Sequence, residues 1–313
     1  MKGFKKILCV ADQEKGSDTA LQRAVKLAEN NKASLTVVDV MPRSGRVLQD
    51  VLATMVDERE KRLARLIQPH RDGLDIETKL LKGIAFLEVI REVLRSRHDL
   101  VIKCHNSPGW VDRLLSSEDI SLLRECPCPV WLIKPDEASS AAKRILAAVD
   151  VDDDYPSSEL ATRHALNVRV MELAVSLALS EAAELQVVHA WQVAEESSLR
   201  DSNLLKTPEG QVDDFVEHIR ERHARLLDTF LKGFDANPAL HLTVHTPKGA
   251  ASKEIPELAE RLRIDCIVMG TVARTGIRGF IMGNTAESVL EQVDCSVLAI
   301  KPPGFETPVA LEN

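Results

Sequence analysis

Short apolar runs alternate along the chain with longer segments whose apolar residues recur at helical spacing. Runs such as residues 35–40 and 297–300 have Val, Ile or Leu at successive positions, as in strands covered on both faces of a parallel sheet. Residues 17–30 and 84–96 instead place their apolar side chains on one face of a helix. The alternation predicts an α/β fold: a doubly wound parallel sheet with right-handed crossovers.

The pattern occurs twice, which indicates an internal duplication. Four blocks recur in the same order, with an offset that grows along the chain: 6–12 with 144–150, 35–40 with 185–190, 82–102 with 248–268, and 128–135 with 295–302. We therefore predict two tandem domains, over 1–137 and 143–304, each with a five-stranded parallel sheet flanked by helices. A polar linker at 136–142 separates them, and residues 305–313 form a tail. The longer connection at 192–217 predicts an exposed loop or capping flap, followed by a helix over 212–233.

Composition narrows the possible functions. The 313 residues have a net charge of −8, and without a dense basic run the chain is not expected to bind nucleic acid. Apolar runs are shorter than the roughly 18 residues that a membrane span requires, and Asp12 interrupts the N-terminal run too early for a signal peptide. The six cysteines lie mostly in apolar runs, which favours a reducing cytoplasm. Cys126 and Cys128 have no second pair nearby, so no metal site is predicted there.

Ligands of such sheets bind at the carboxyl ends of the strands, at the switch point. This places Asp12, Asp150 and the loop after the fourth strand of the second domain in the candidate site. Gly270 is expected to let the backbone approach a ligand. Residues 283–285 begin a helix whose N–H groups favour an anion, and Asn284 or Thr285 could also cap it. Arginines, Arg278 among them, could lie over a phosphate. The candidate nucleotide or anion-binding residues are Asp150, Met269, Gly270, Ala273, Arg274, Gly283, Asn284 and Thr285.

This loop resembles that of the universal stress proteins, whose nucleotide-binding members contain Gly-x2-Gly-x9-Gly-(Ser/Thr) here. Gly-Thr-Val-Ala-Arg-Thr-Gly-Ile at 270–277 and Gly-Asn-Thr-Ala-Glu at 283–287 are similar to the E-type, tandem branch of that family. The resemblance covers nearly the whole chain. It implies a Rossmann-like fold of the adenine-nucleotide alpha hydrolase type, a cytoplasmic stress-response role without catalysis, and ATP with Mg²⁺ as the candidate cofactor. It also implies that the fifth strands pair within the chain, as an intramolecular pseudo-dimer, with a further homodimer left open.

The departures from the family motif concern both domains. In the second, the middle Gly of the motif falls on Ala273 and the final Ser/Thr on Asn284. In the first, residues 103–113 have lost the glycine spacing, so that half is not expected to hold a nucleotide in the family manner. Asp12 and Asp150 match the acidic position that lies near the adenine in nucleotide-binding relatives.

Three functions remain open at this point. The first is a protein that is not an enzyme and binds a small ligand or a partner protein. The second is an ATP-binding switch with slow hydrolysis, with the nucleotide in the second domain only. The third is a hydrolase that uses His105 or the acidic run 152–154, although His105 is more typical of a structural histidine and the run of a solvated turn. Trp191, near the switch point, could cover a lipid-like or aromatic ligand.

Overall fold

The computed structural model describes residues 3–12, 17–43, 49–71, 73–105, 116–135, 143–194, 196–200, 209–234, 240–271 and 282–311. The first half contains β1 (Lys6–Val10), α1 (Ser17–Asn31), β2 (Ser34–Met41), α2 (Gln49–Ile67), a 3-10 turn (Gln68–His70), β3 (Ile76–Lys82), α3 (Ala85–Ser96), β4 (Leu100–Cys104), α4 (Ser117–Glu125) and β5 (Val130–Ile133).

The second half repeats this order and adds one short helix. It contains β6 (Arg144–Ala148), α5 (Ser157–Glu181), β7 (Glu184–Val188), α6 (Glu196–Arg200), α7 (Glu209–Leu231), β8 (Leu242–His245), α8 (Ala251–Leu262), β9 (Cys266–Gly270), α9 (Asn284–Gln292) and β10 (Ser296–Ile300). The helices expected over 17–30 and 84–96 are present as α1 and α3.

Among the described residues, the strands form one ten-stranded sheet in the order β3-β2-β1-β4-β5-β10-β9-β6-β7-β8. All neighbours within each half are parallel. The central pair, β5 and β10, is antiparallel, with Leu132 opposite Val297 and Val130 opposite Ala299. The doubly wound α/β fold is confirmed, and the internal pairing of the fifth strands is present.

Each face of the sheet is covered by one apolar core that includes residues of both halves. Along β5 and β10, Trp131 and Leu298 face the core under α1, α2, α5 and α7, whereas Val130 and Val297 face the core under α3, α4, α8 and α9. A buried ion pair between Arg23 of α1 and Glu181 of α5, at 3.0 Å, also joins the halves. Successive residues of a strand therefore point into opposite cores, and both faces of the sheet are buried, as the continuous apolar runs predict.

The duplication extends to how the helices end. Among the described non-glycine residues, positive φ occurs at Lys32, Arg97, Ala182 and Arg263, which follow α1, α3, α5 and α8. A left-handed residue after a helix lets its N–H group satisfy a carbonyl of the last turn. Arg97 and Arg263 do this with Val93 and Ala259.

The connection at 192–217 differs from the expected open loop. Residues 196–200 form α6 and α7 already begins at Glu209, while residue 195 and residues 201–208 lie outside the described part. The Glu196 carboxylate lies 2.7 Å from Lys248 Nζ, which fixes α6 over the end of β8. The linker at 136–142 also lies outside the description. No helix within the described ranges is long and apolar enough to cross a membrane.

Candidate functional site

The strands of the two halves run in opposite directions, because the contact between β5 and β10 is antiparallel. The two switch points therefore lie at opposite ends of the strands. Each switch point lies where β1 and β4, or β6 and β9, end side by side. The loops after β4 and β9, at 106–115 and 272–281, fall outside the described residues, and with them Ala273, Arg274 and Arg278.

In the first half a buried lysine occupies the switch point. Lys103 in β4 is only 5% exposed. Its Nζ lies 3.0 Å from Asp119 Oδ1 and 3.3 Å from Asp12 Oδ2. His105 adds a contact of 3.7 Å between its Nδ1 and Asp119 Oδ2. Asp119 is fully buried in the first turn of α4, which Ser116 caps by accepting the Asp119 N–H.

The pKa values of this cluster show that its charges stabilise one another. Burial lowers the pKa of Lys103, but Asp119 and Asp12 more than offset this, so the pKa lies above its ordinary value. Burial raises the pKa of Asp119, but His105 and Lys103 more than offset that, and the net shift is downward. The pair of Lys103 and Asp119 is therefore ionised at neutral pH.

The matched positions of the second half are apolar. Lys103 pairs with Val10 in the sheet, and the corresponding pair in the second half is Met269 with Ala148. The third residue of the nine-residue helix α4 is Asp119, and the third residue of the nine-residue helix α9 is Ala286. Met269 and Ala286 are both buried. The second switch point thus lacks the charges that fill the first.

Asp150 ends the first strand of the second half and is held by several polar partners. Its carboxylate accepts from Tyr155 Oη at 2.8 Å and lies 3.4 Å from Arg163 Nη1. Its backbone exchanges two hydrogen bonds with the Asn167 amide. Burial and the Asp150 carboxylate raise the pKa of Tyr155, which keeps that hydroxyl a donor. The Asp150 side chain is still about half exposed, at 47%, and can contact a ligand.

The acidic run at 152–154 is tied to a basic side chain. The three carboxylates lie within 4.8 Å of one another. Arg222 of α7 pairs with Asp153 and, at 3.0 Å between Nη1 and Oδ2, with Asp154. Its guanidinium lowers the pKa of Asp154. The Arg222 charge thus already neutralises part of the negative charge that would attract a metal ion.

The first turn of α9 is the part of the predicted anion site that lies within the described residues. Gly283 is the N-cap residue, with φ −69° and ψ 138°, and no side chain caps the helix. The option that Asn284 or Thr285 caps it is therefore wrong. Both of these side chains are exposed. Apart from Gly283, whose N–H donates to Thr271 O at 3.1 Å, the turn offers N–H groups suited to an anion.

Gly270 has a packing role that the sequence did not indicate. A Cβ built on Gly270 would lie 2.6 Å from Leu166 Cδ2. Leu166 belongs to α5, which has 25 residues where α1 has 15. The close approach at Gly270 is therefore to this longer helix.

The ends of β2 and β7 also differ between the halves. Fully buried Asp39 pairs with Arg59 at 2.9 Å. At the matched end of β7, His189 Nε2 lies 2.9 Å from His223 Nδ1, and both rings are buried. The Trp191 ring stacks on His223 at 6.0 Å between centroids, and its Nε1 donates to Thr246 O. Trp191 is thus packed in place, contrary to the expected ligand cover.

The first half contains a cavity of about 570 Å³ beside its charged cluster. Its walls combine charged and apolar side chains, among them Asp12, Asp39, Arg59, Ile84 and Arg91. Its mouth includes Ile84, one of the exposed large apolar side chains of the chain. A cavity of this size and mixed character can accept a small organic molecule.

Sequence reasoning missed Lys103, Asp119, His189 and His223 as site residues. The available signals were a lysine inside the apolar run 100–104, and the polar residues Asp39 and His189 at matched places in otherwise apolar strands. Buried charges are rare unless they are paired, so each of these positions required a partner elsewhere in the chain.

The fold and the two switch points define a tandem protein of two Rossmann-like α/β domains. The sequence model described as "Universal stress protein family" matches residues 3–134 and 141–301. The chain therefore belongs to the universal stress protein family and contains two such domains in tandem.

Full-length relatives support the tandem arrangement. Universal stress protein E of Escherichia coli K12 is 29% identical over 100% of this chain and 99% of its own length. The universal stress protein E homolog of Haemophilus influenzae is 28% identical over 96% and 98%. The crystal structure of a universal stress protein from Pseudomonas aeruginosa UCBPP-PA14 is 25% identical, covers 96% of this chain and 94% of its own, and has a TM-score of 0.70. The similarity is thus to E-type, tandem members of the family.

Proposed function

We propose that this protein is a non-catalytic, cytoplasmic stress-response protein that acts by binding a small ligand or a partner protein. Membership of the family and the cavity of the first half support this proposal. The acidic run 152–154, a candidate for metal-assisted catalysis, is already paired with Arg222. A carboxylate that is neutralised by an arginine attracts a metal ion less strongly.

The observation that carries the proposal is the difference between the two switch points. The first turn of α4 contains Glu118 and Asp119, and the nearby Lys103 is already paired with Asp119 and Asp12, so a polyphosphate would meet carboxylates and no unpaired lysine charge. The equivalent turn of α9 exposes Asn284 and Thr285 and holds its one acidic residue, Glu287, further along. Negative charge repels phosphate, whereas free N–H groups attract it. The two halves are thus suited to different ligands.

This difference favours ATP with Mg²⁺, held by the second half only, as the second candidate function. N–H groups in the first turn of α9 would hold the phosphates, and Asp150, whose side chain is about half exposed, matches the acidic position that lies near the adenine in nucleotide-binding relatives. Bound ATP would supply a triphosphate whose slow hydrolysis could reset a switch. Gly283, Asn284 and Thr285 would orient it.

Calorimetric titration of the full chain with Mg-ATP tests this candidate. Asn284→Asp adds a negative charge at the first helical position of α9, where an acidic side chain also favours the helix. We expect one site per chain and an affinity weakened about tenfold by this variant, since one like charge near a phosphate costs on the order of 1 kcal/mol. Ser117→Asp, at the matched position of α4, is the control and is expected to change nothing.

Equal weakening by both variants would remove the assignment to the second half. No heat at millimolar Mg-ATP would remove the nucleotide switch and leave ligand binding in the cavity of the first half. Native mass spectrometry of the purified chain then compares wild type with Ala85→Phe, which fills that cavity. A bound small molecule lost in the variant supports the proposal, and an identical absence of bound mass in both counts against it.

A further inference from the structure

Two cysteines lie side by side immediately after α4. Cys126 follows the last residue of the helix, and its N–H donates to Leu122 O. Cys128 is two residues further on, and the two sulfur atoms are 3.6 Å apart. Both side chains are buried, Cys126 fully and Cys128 with 8% exposed. A disulfide requires about 2.0 Å between the sulfurs, so a small local movement would join them.

A buried lysine from the other half lies against this turn. Lys301 follows β10, and its Nζ donates to Leu123 O in the last turn of α4 and to Thr271 Oγ1 at 2.5 Å. Burial lowers the pKa of Lys301 to about 8, although nearby Cys126 opposes the shift. With a pKa of about 8, Lys301 is still mostly protonated at neutral pH. Its positive charge favours a thiolate on the nearby Cys126.

The two thiols differ in acidity as a reacting pair would. Burial raises the pKa of Cys126, but its hydrogen bonds with Cys128 and the Lys301 charge more than offset this, so the pKa lies below the ordinary value. The same pairing with Cys126, together with burial, raises the pKa of Cys128. The lower pKa of Cys126 favours its thiolate, with Cys128 as the neighbouring thiol.

We propose that Cys126 and Cys128 form a redox-active dithiol, which a hydroperoxide converts to an intramolecular disulfide. The Cys126 thiolate attacks the terminal peroxide oxygen. With hydrogen peroxide as the oxidant, the O–O bond breaks, one water leaves, and Cys126 becomes a sulfenic acid. The Cys128 sulfur then attacks the Cys126 sulfur, the S–S bond forms and a second water leaves with the remaining proton. Two thiols lose two electrons, and the peroxide gains them.

The second half provides a natural contrast. Its helix α9 is followed by Val293 where α4 is followed by Cys126, and Cys295 stands where Cys128 does. Lys134, which matches Lys301, lies near the surface and pairs with Asp294 at 2.9 Å. A cysteine pair beside a buried lysine is therefore present after α4 and has no counterpart after α9. Both sulfurs are buried, so the small oxidant hydrogen peroxide is the one used in the test.

The test treats the reduced full chain with hydrogen peroxide, blocks the remaining thiols and analyses tryptic peptides by mass spectrometry. The peptide 125–143 contains Cys126 and Cys128 and no other cysteine. We expect this peptide to lose two hydrogen masses before the Cys295 peptide is oxidised, since the thiolate is the form that reacts. Cys295→Ser is the matched control and is expected to leave this reaction unchanged.

Cys128→Ser separates the two steps, because Cys126 should then stop at the sulfenic acid, which a dimedone probe detects. The wild-type rate should rise with pH as the Cys126 thiolate forms, and Lys301→Met should move this rise to higher pH. The proposal would be overturned if Cys126 and Cys128 stay reduced, and are therefore both blocked, while Cys295 is oxidised. So would a disulfide that links either cysteine to another part of the chain.

Discussion

Lys103 and Asp119 are buried charges that stabilise the protein only as a pair. A lysine that is 5% exposed and a fully buried aspartate have both lost their water, and their 3.0 Å contact compensates for that loss. Met269 and Ala286 occupy the same two places in the second half without any charge. The same two positions are thus filled by an ion pair in the first half and by apolar side chains in the second half.

Lys103→Met is expected to destabilise the protein by about 3–5 kcal/mol, because it leaves Asp119 charged, buried and without its main partner. The double variant Lys103→Met with Asp119→Ala copies the second half and is expected to recover most of that loss. Urea unfolding of the wild type, both single variants and the double variant measures the coupling. Additive losses would mean that the two side chains do not depend on each other.

The contact between α7 and the end of β7 depends on two imidazole rings. His189 Nδ1 lies 3.3 Å from Val149 O. A carbonyl only accepts, so Nδ1 is the donor, and His189 Nε2 accepts from His223 Nδ1. Burial lowers the pKa of His189, and the Asp150 charge only partly opposes the shift. The folded state therefore favours the neutral ring at the position where the first half holds Asp39 and Arg59.

A lowered histidine pKa predicts a loss of stability in acid. Below pH 6.5, the ordinary value for the ring, the unfolded chain binds a proton that folded His189 does not yet bind. The free energy of unfolding should therefore fall with pH from about 6.5 downward, by at most about 1.4 kcal/mol per pH unit for one such proton. Thermal or urea unfolding between pH 7 and pH 5 measures this slope.

His98 and His245 also have lowered pKa values, chiefly through burial, and add to the slope. His189→Asn should flatten the slope by its own share, and His98→Asn serves as the comparison. Asp119 and Glu92 have lowered pKa values, so their stabilising effect is lost only at lower pH, below their ordinary values of 3.8 and 4.5. An unchanged slope in His189→Asn would contradict the assignment.

Individual elements were predictable from the sequence where a local pattern determines them. The helical period identified α1 and α3, and the apolar runs identified β4, β5, β9 and β10. The contact between Lys103 and Asp119 was not predictable, because it depends on how α4 packs after a loop of unmatched sequence. Gly270 as a ligand contact stays a prediction, whereas the approach of Leu166 of α5 to it could not be predicted, because it depends on the packing of that longer helix. Ala273 and Arg274 lie outside the described residues and stay predictions.

In the whole molecule, the two halves share both of their cores. Trp131 and Leu298 from opposite sides of the central contact belong to one core, and Val130 and Val297 to the other. Separation would expose β5 and β10 as sheet edges and would break the pair of Arg23 with Glu181. Unpaired strand edges readily pair with another copy. The internal pairing therefore supplies the contact that a single-domain relative would need a second chain to make.

Residues 143–313 expressed alone are expected to form a dimer through β10, since this strand has lost β5. Analytical ultracentrifugation measures the mass of this fragment beside the full chain. A stable, monomeric fragment would mean that each half folds without the shared cores.

The central antiparallel contact also changes what a single mutation can do. In a symmetric dimer of identical subunits, any substitution appears at both sites at once. In this chain, the charged cluster of Lys103 and the cysteine pair after α4 each occur in one half only, while the other half keeps Met269 and Val293. Covalent fusion thus gives one molecule two sites that can change independently at a fixed ratio of one to one.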